Sequence, residues 1–565
     1  MIKILFFTGV IMGLVPMKGW SEISWWEAHP EPARWEQARS ELGERLIAQL
    51  KTARESDFKP ENLEASEFRL WQWLGLWSLD FSEKENADFR SLGENIELRR
   101  AFLENITSDD NVTNALRILL NMQAKAPAAV QELPRLAVAL SLVLDQPFPK
   151  RWPHRQVTPA AVPIEVVDPV QRLQSMAELQ RGRRYATDLR DFRVSELKFI
   201  IDHPLAESEM DWARKNVTAS RSGFSKVFSS IRYDIPRFKA NQLVWPYPKY
   251  TFAEIRSKGG ICVDQAYFAA NTGKAKGLPT LYFSGQGDDG GHAWFGYMDS
   301  PGHWETDCGR YESQNYPVGN AMDPQTWKPI SDTELVFLAK GRERSDGYQQ
   351  AILLTDFART LGRPESKRWL DAAQKVQPEF LPAWSLQAEI LADSHASPQV
   401  QQEYWTAYTS RFSNYPDLKV GGQSKLLQLA KERGDALQVK GLTQEILVQN
   451  RTRRFDLGIG SAAGDMGEKI AAGKWSEAEA AYRKALRDFK GQAGGNLYYG
   501  LVEPFVEAAL ADGQVVMAKS ALAEAKRLLK PSQDSLVGRS LLELEAKTVL
   551  ERKRGTSSFS SDQFE

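Results

Sequence analysis

SKGGICVDQAYFAANTGKAKGLPTLYFSG, running from Ser257 to Gly285, is the stretch on which the reading of this chain turns. Gly259 and Gly260 free the backbone for a sharp turn. Small and apolar side chains then recur at helical spacing, and Gly277 supplies a C-terminal cap. The spacing predicts a helix that begins at Cys262. A thiol there faces the positive end of the helix dipole and unpaired backbone N–H groups, which lower its pKa and favour the thiolate. Free cysteine is also among the most buried residue types, acting as a small inert hydrophobe. Taken alone, Cys262 does not decide between the two.

Its company does. Thr280 to Ser284 reads as a strand, and a glycine-rich loop from Gly285 to Gly291 opens into His292-Ala293-Trp294-Phe295-Gly296-Tyr297-Met298, read as a second strand. His292 is one of only six histidines. A turn at Asp299 to Gly302 leads to His303-Trp304-Glu305-Thr306-Asp307. Nucleophile, base and carboxylate therefore follow in the order Cys262, His292, Asp307. Neighbouring antiparallel strands joined by a short turn are expected to set His292 beside Asp307, with one imidazole nitrogen facing the carboxylate and the other the thiol.

The run resembles the core motif of the transglutaminase-like superfamily: Gly-x-Cys at a helix start, a Gly-Leu-Pro strand entry, His-Ala-Trp on one strand and Trp-x-x-Asp on the next. The resemblance implies a papain-like fold in which Cys262, His292 and Asp307 form a catalytic triad. It covers roughly residues 250 to 310, and four elements in order make a chance match hard to sustain. Families with this core include protein crosslinkers, peptide hydrolases, peptide N-glycanases and catalytically dead scaffolds, and the motif does not choose among them.

Neighbouring candidates have plainer readings. His303 follows Pro301-Gly302 and reads as a turn residue, although alternation puts it on the face of Asp307. Asp264 reads as a first-turn acid favoured by the helix dipole, and Trp245 as a core indole. Asp288 and Asp289 are too few for a calcium loop. There is no Cys-x-x-Cys, no His-Glu-x-x-His and no phosphate-cradling loop ending in Lys-Ser or Lys-Thr, so neither metal nor cofactor is expected. If Trp304 to Cys308 is a strand, Asp307 facing the site turns Cys308 away from it. A Cys262–Cys308 disulfide and the triad then exclude one another, and two free thiols are expected, with Cys262 titrating well below the ~8.5 of an unperturbed cysteine.

Outward from this core, the 565 residues exceed what one hydrophobic core serves, and three domains are the expectation. Hydrophobic residues at 42%, charged residues at 26% and 17 Trp are folded-protein usage and argue against long disorder. Met1-Ile2-Lys3, an apolar run from Ile4 to Val15 and then Gly19-Trp20-Ser21 read as a cleaved secretory signal over residues 1–21. A membrane anchor would need ~20 apolar residues. The net charge of −1 becomes −3 once Lys3 and Lys18 leave with the signal, which gives no electrostatic reason to expect nucleic acid or an anionic membrane as partner. The protein is thus expected to be secreted or periplasmic, without a stable membrane span.

Helical periodicity runs from about Glu22 to Leu144, with Leu70, Trp73, Leu74 and Trp77 on one face, and an N-terminal helical domain is placed at 22–155. The proline-punctuated stretch from His154 to Pro169 reads as a linker, and the catalytic domain is placed at 170–341. From 342 to 553 the helical pattern returns with a repeat. Gly473 precedes Ala478, Tyr482, Ala485 and Leu486 as Gly513 precedes Ala518, Leu522 and Ala525. This suits a degenerate tetratricopeptide-like array, an ordinary Ala-rich helical domain being the alternative. The Ser-rich 554–565 is expected to be a disordered tail. The fold class is α+β: a transglutaminase-like core flanked by an N-terminal helical domain and a C-terminal helical repeat domain. The function it implies is cysteine acyl transfer on a protein or peptide substrate, ending in hydrolysis of an amide through a thioester. Protein crosslinking and a non-catalytic peptide-binding scaffold are the alternatives, and the helical array is a candidate surface for a protein partner.

Overall fold

The helix that begins at Cys262 organises the centre of the molecule. It spans Cys262–Ala275, and every residue from Val263 to Ala275 is buried. Its start is set by Gly259, whose φ of +85° ends the preceding Phe252–Lys258 helix and where a Cβ would press on the Arg232 carbonyl at 2.5 Å. Its end is a Schellman motif: Leu278 N–H donates to the Gly273 carbonyl (3.0 Å), Gly277 N–H donates to that of Lys274 (3.0 Å), and Gly277 has a φ of +73°. This computed structural model describes residues 22–558 apart from 344, 363, 364, 492 and 493. The expected signal over residues 1–21 lies outside the described residues.

Against this helix lies one antiparallel sheet of five strands, β1 (Thr280–Gln286), β2 (Gly291–Ser300), β3 (His303–Cys308), β4 (Asn320–Met322) and β5 (Pro329–Ser331), in the order β3-β2-β1-β4-β5. β1 and β2 pair in strict register, with Phe283 opposite Trp294 and Gly285 opposite His292. β2 and β3 do not. Two steps along β2 match one along β3 between Ser300–His303 and Met298–Trp304, and two match three between Tyr297–Glu305 and Phe295–Cys308, so each strand carries one extra residue and the two shifts cancel. The remainder is mostly helical, and the chain is α+β.

The expected domain boundaries do not divide the core. One continuous apolar cluster joins Trp25, Trp35 and Trp73 of the N-terminal helices to Phe268 and Phe295 of the centre and to Phe357, Trp369 and Leu386 beyond it. Phe357 and Trp369 belong to helices Ser345–Leu361 and Ser366–Val376, which were expected to open the repeat array. They pack instead on Phe58, with ring centroids 5.1 and 5.5 Å away, while Arg69 pairs with Asp356 at 2.5 Å. The stretch expected to be a linker is also built in. The Gln156 carbonyl accepts Trp245 N–H (2.8 Å), the Ala161 carbonyl accepts Tyr250 N–H (2.7 Å), and Ile164 bridges Leu205. Its prolines break helices without setting the strand free.

A second core gathers the helices Phe455–Ala471, Trp475–Asp488, Glu503–Ala511, Val515–Leu529 and Leu536–Ser558. The spaced small residues lie inside it: Ala478 and Ala518 are fully buried, Tyr482 stacks on Phe505 at 4.5 Å, and its hydroxyl donates to the Ala521 carbonyl (2.9 Å). The last helix runs to Ser558, so residues 554–558 are helical where a disordered tail was expected, and residues 559–565 lie outside the described ones. Among the described residues, no helix is long and apolar enough to cross a membrane.

Candidate active site

Cys262 occupies the first helical position, and its sulfur lies against the backbone N–H of Ala293, the residue after His292. The loop geometry of Gly259-Gly260 and the β1–β2 hairpin thus bring Cys262 to the backbone of the residue next to His292. Both cysteines are free. Burial pushes the Cys262 thiol up to about 11; the Ala293 N–H opposes this, the Asp264 charge adds to it, and the N–H groups of Val263 and of Cys262 itself oppose it. The activated thiolate expected from the helix dipole is therefore absent at rest. Desolvation of the charged form outweighs the donors at the helix start.

His292 is 6% exposed, and burial lowers its pKa to about 4, with a hydrogen bond to Gly309 acting in the other direction. Its Nε2 sits 2.8 Å from the Gly309 carbonyl. Aromatic rings enclose the imidazole: Tyr311 stacks on it with centroids 4.1 Å apart and planes 24° apart, and Tyr316 and Trp294 lie nearly parallel at 5.5 and 5.9 Å. Phe228 approaches edge-on at 6.2 Å. Thiol and imidazole are both neutral near pH 7.

Asp307 is not where the triad needs it. Its side chain is 66% exposed and its Oδ1 takes Arg310 Nη1 at 2.7 Å. Among the described residues it makes no hydrogen bond with His292. The reason is register. The hairpin closes at Ser300 and His303, and its last pair is Phe295–Cys308, three residues short of His292, after which Gly309 with a φ of +95° ends the strand. Asp307 falls near Gly296, about four residues or ~13 Å along the strand from the imidazole. Alternation puts Cys308 in the core opposite Phe295 and Asp307 on the other face, but it carries no information on position along the strand.

The remaining candidates settle into structural places. Asp264 is wholly buried at the third helical position. It accepts Ile261 N–H (2.8 Å), the Tyr250 hydroxyl (2.9 Å) and Arg237 Nη1 (2.6 Å), and His154 Nε2 reaches the same hydroxyl at 3.0 Å. It is a capping acid in a buried polar chain, and burial holds its carboxyl above the usual range despite Arg237. Trp245 is a core residue whose indole N–H donates to the Lys249 carbonyl (3.0 Å). Asp288 and Asp289 peg the loop to Asn315 (2.6 Å) and Gln314 (2.9 Å) rather than converging on one point. His303 pairs with Asp299 at 2.7 Å at the far end of the hairpin, where Asp299, His303 and Glu305 form an exposed group of metal-compatible side chains.

Two features of the site escaped the sequence. Gly309, Tyr311 and Tyr316 enclose the imidazole from an irregular segment after β3, and the only hint was a Gly-Arg-Tyr following the expected carboxylate. The C-terminal helices also reach the loop before His292. Gly495 N–H donates to the Gly287 carbonyl (2.9 Å), Asn496 Nδ2 to that of Gln286 (2.7 Å) and Val537 N–H to that of Asp289 (3.3 Å). Comparisons of the chain with protein-family models, with curated proteins and with solved structures find no match.

Proposed function

We propose that the protein is an exported, transglutaminase-like cysteine acyl-transfer enzyme that hydrolyses an amide bond in a protein or peptide through a thioester. The observation that carries this reading is the placing of Cys262, at the first position of a buried helix, against the N–H of Ala293, next in the strand to His292. The helix-start position leaves N–H groups without helical acceptors, and these are suited to receive a developing oxyanion.

The chemistry follows from a neutral resting pair. As the Cys262 sulfur bonds to the amide carbon, its proton passes to Nδ1 of His292, the nitrogen not engaged by Gly309. The tetrahedral oxyanion is held by the Cys262 N–H. It collapses as the C–N bond breaks, and His292 returns the proton to the departing amine or ammonia. Water, deprotonated by the same imidazole, then attacks the thioester and restores the thiol. A half-buried thiol with a high pKa suits attack triggered by bound substrate better than standing reactivity. In this reading the Asp307 carboxylate holds Arg310 and is not the partner of the base.

A non-catalytic peptide-binding scaffold is the second reading, favoured by the un-ionised thiol and the displaced Asp307. An electrophilic peptide probe separates the two. Covalent labelling of Cys262 that is lost in His292→Ala while the variant keeps its melting temperature supports the enzyme. Slow labelling unchanged by His292→Ala, with no product from any envelope-protein mixture, refutes it.

A further inference from the structure

We propose that His292 is oriented without a carboxylate: the Gly309 carbonyl fixes which nitrogen carries the proton and the Tyr311 ring fixes the plane, making Gly309 and Tyr311 the positioning residues of the site. This rests on the reading of His292 as the base. A backbone carbonyl can only accept, so Nε2, at 2.8 Å, must carry a hydrogen, which leaves the Nδ1 lone pair bare in the neutral ring. An orienting carboxylate performs the same selection in a triad. Rotation about the Cβ–Cγ bond would swing the ring out of its stack with Tyr311 (4.1 Å, 24°) and into Tyr316 or Phe228.

The clamp is itself anchored. Gly309 has a φ of +95°, and a Cβ there would meet the Phe228 ring at 2.6 Å, so the carbonyl is aimed by a conformation that glycine adopts freely. Arg310, next in sequence, fastens the segment. Nη1 reaches the buried Asp332 at 3.2 Å and Asp307 at 2.7 Å, Nη2 donates to the Tyr316 carbonyl, and the guanidinium lies 5.1 Å over Trp294. Asp332 is in turn held by Gly319 N–H (2.8 Å). Gly309 follows directly on β3, and a turn in which Arg310 N–H donates to the Asp307 carbonyl (3.1 Å) carries the segment to His292. Asp307 thus acts on the base only at second hand, as one of two carboxylates on Arg310.

The test reads the tautomer directly, whether or not any substrate is turned over. Full-length protein carrying ¹⁵N-labelled imidazoles is examined by long-range ¹H–¹⁵N correlation near neutral pH, His292 being assigned by the signal lost in His292→Gln. The expected result is a single Nε2–H tautomer that persists in Asp307→Asn, averages toward a mixture in Tyr311→Ala and returns in Tyr311→Phe. Cys262 labelling by the peptide probe should fall about tenfold in Tyr311→Ala and recover in Tyr311→Phe. Tyr311 is 43% exposed, so its replacement leaves the core intact. An Nδ1–H tautomer in the wild-type protein overturns the proposal, as does loss of the Nε2–H signal in Asp307→Asn with Tyr311→Ala unaffected. If the tautomer pattern holds while no variant labels in a His292-dependent way, the positioning stands and the acyl-transfer reading fails.

Discussion

Alkylation of Cys262 as a function of pH bears most directly on the resting state of the site. A thiol pushed up to about 11 by burial is ionised near pH 7 about 300-fold less than an ordinary cysteine of pKa ~8.5. The more basic thiolate is intrinsically more nucleophilic, and a Brønsted slope of ~0.45 restores roughly 13-fold of that. Iodoacetamide should therefore modify Cys262 about 20-fold more slowly than a free cysteine near pH 7, with the rate rising about tenfold per pH unit to about pH 10. Peptide-level mass spectrometry of quenched time points gives the rate for each cysteine separately. Cys308, buried and pushed up to about 12, is the internal reference and should react more slowly still. A Cys262 rate that is already high and flat between about pH 5 and 9 would mean a standing thiolate–imidazolium pair. That result would refute the claim that desolvation outweighs the helix start.

Arg237→Met strips the buried Asp264 of its ion-pair partner and leaves the Gln242 and Leu243 carbonyls without a donor, at a cost of about 3–5 kcal/mol. Adding Asp264→Asn should recover most of it, as read from urea denaturation. Protonation of buried histidines should erode stability in acid. His154 falls to about 3 when folded against ~6.5 unfolded, so its contribution is intact above pH ~6.5 and is lost as pH falls, by about 2 kcal/mol near pH 5. His154→Phe should shrink the stability difference between about pH 7.5 and 5 by that amount, an unchanged difference counting against the assignment. Asn496→Ala and Gly495→Val cut the tie between the C-terminal helices and the loop before His292. Faster hydrogen exchange at Gly287 to Gly291 and weaker probe labelling are expected. For the same reason, removing everything after about residue 345 should abolish probe labelling rather than spare it.

The local elements were legible because short-range signals set them. The Gly259-Gly260 pair placed the start of the helix at Cys262, and the three strands carrying the site were found within two residues of their observed ends. The repeat spacing at Ala478, Tyr482 and Ala518 likewise named the contacts between helices. What failed depends on long-range arithmetic or on enclosure. Alternation says which face Asp307 shares, but only the pairing register, Phe295 opposite Cys308, says that Asp307 lies short of His292. The helix-start argument for an acidic thiol held every local ingredient except burial, which is a property of the whole fold. His154 gave no signal at all, because its partner Tyr250, which donates onward to Asp264, meets it only across the core.

The apolar cluster that binds Trp25 to Leu386 also fixes when the protein can fold. A ribosome or a translocation channel delivers the chain from its N-terminus. The rings of Phe58 and Phe68 emerge long before Phe357 and Trp369, which pack against them. Until then the early helices present greasy surface with no mate, a client for a holdase and a substrate for proteases. For a protein read as exported, this lateness is useful: a chain that cannot close on itself early stays threadable. Fragments ending near residue 340 should accordingly be cut by a nonspecific protease within the N-terminal helices, which the complete chain shields.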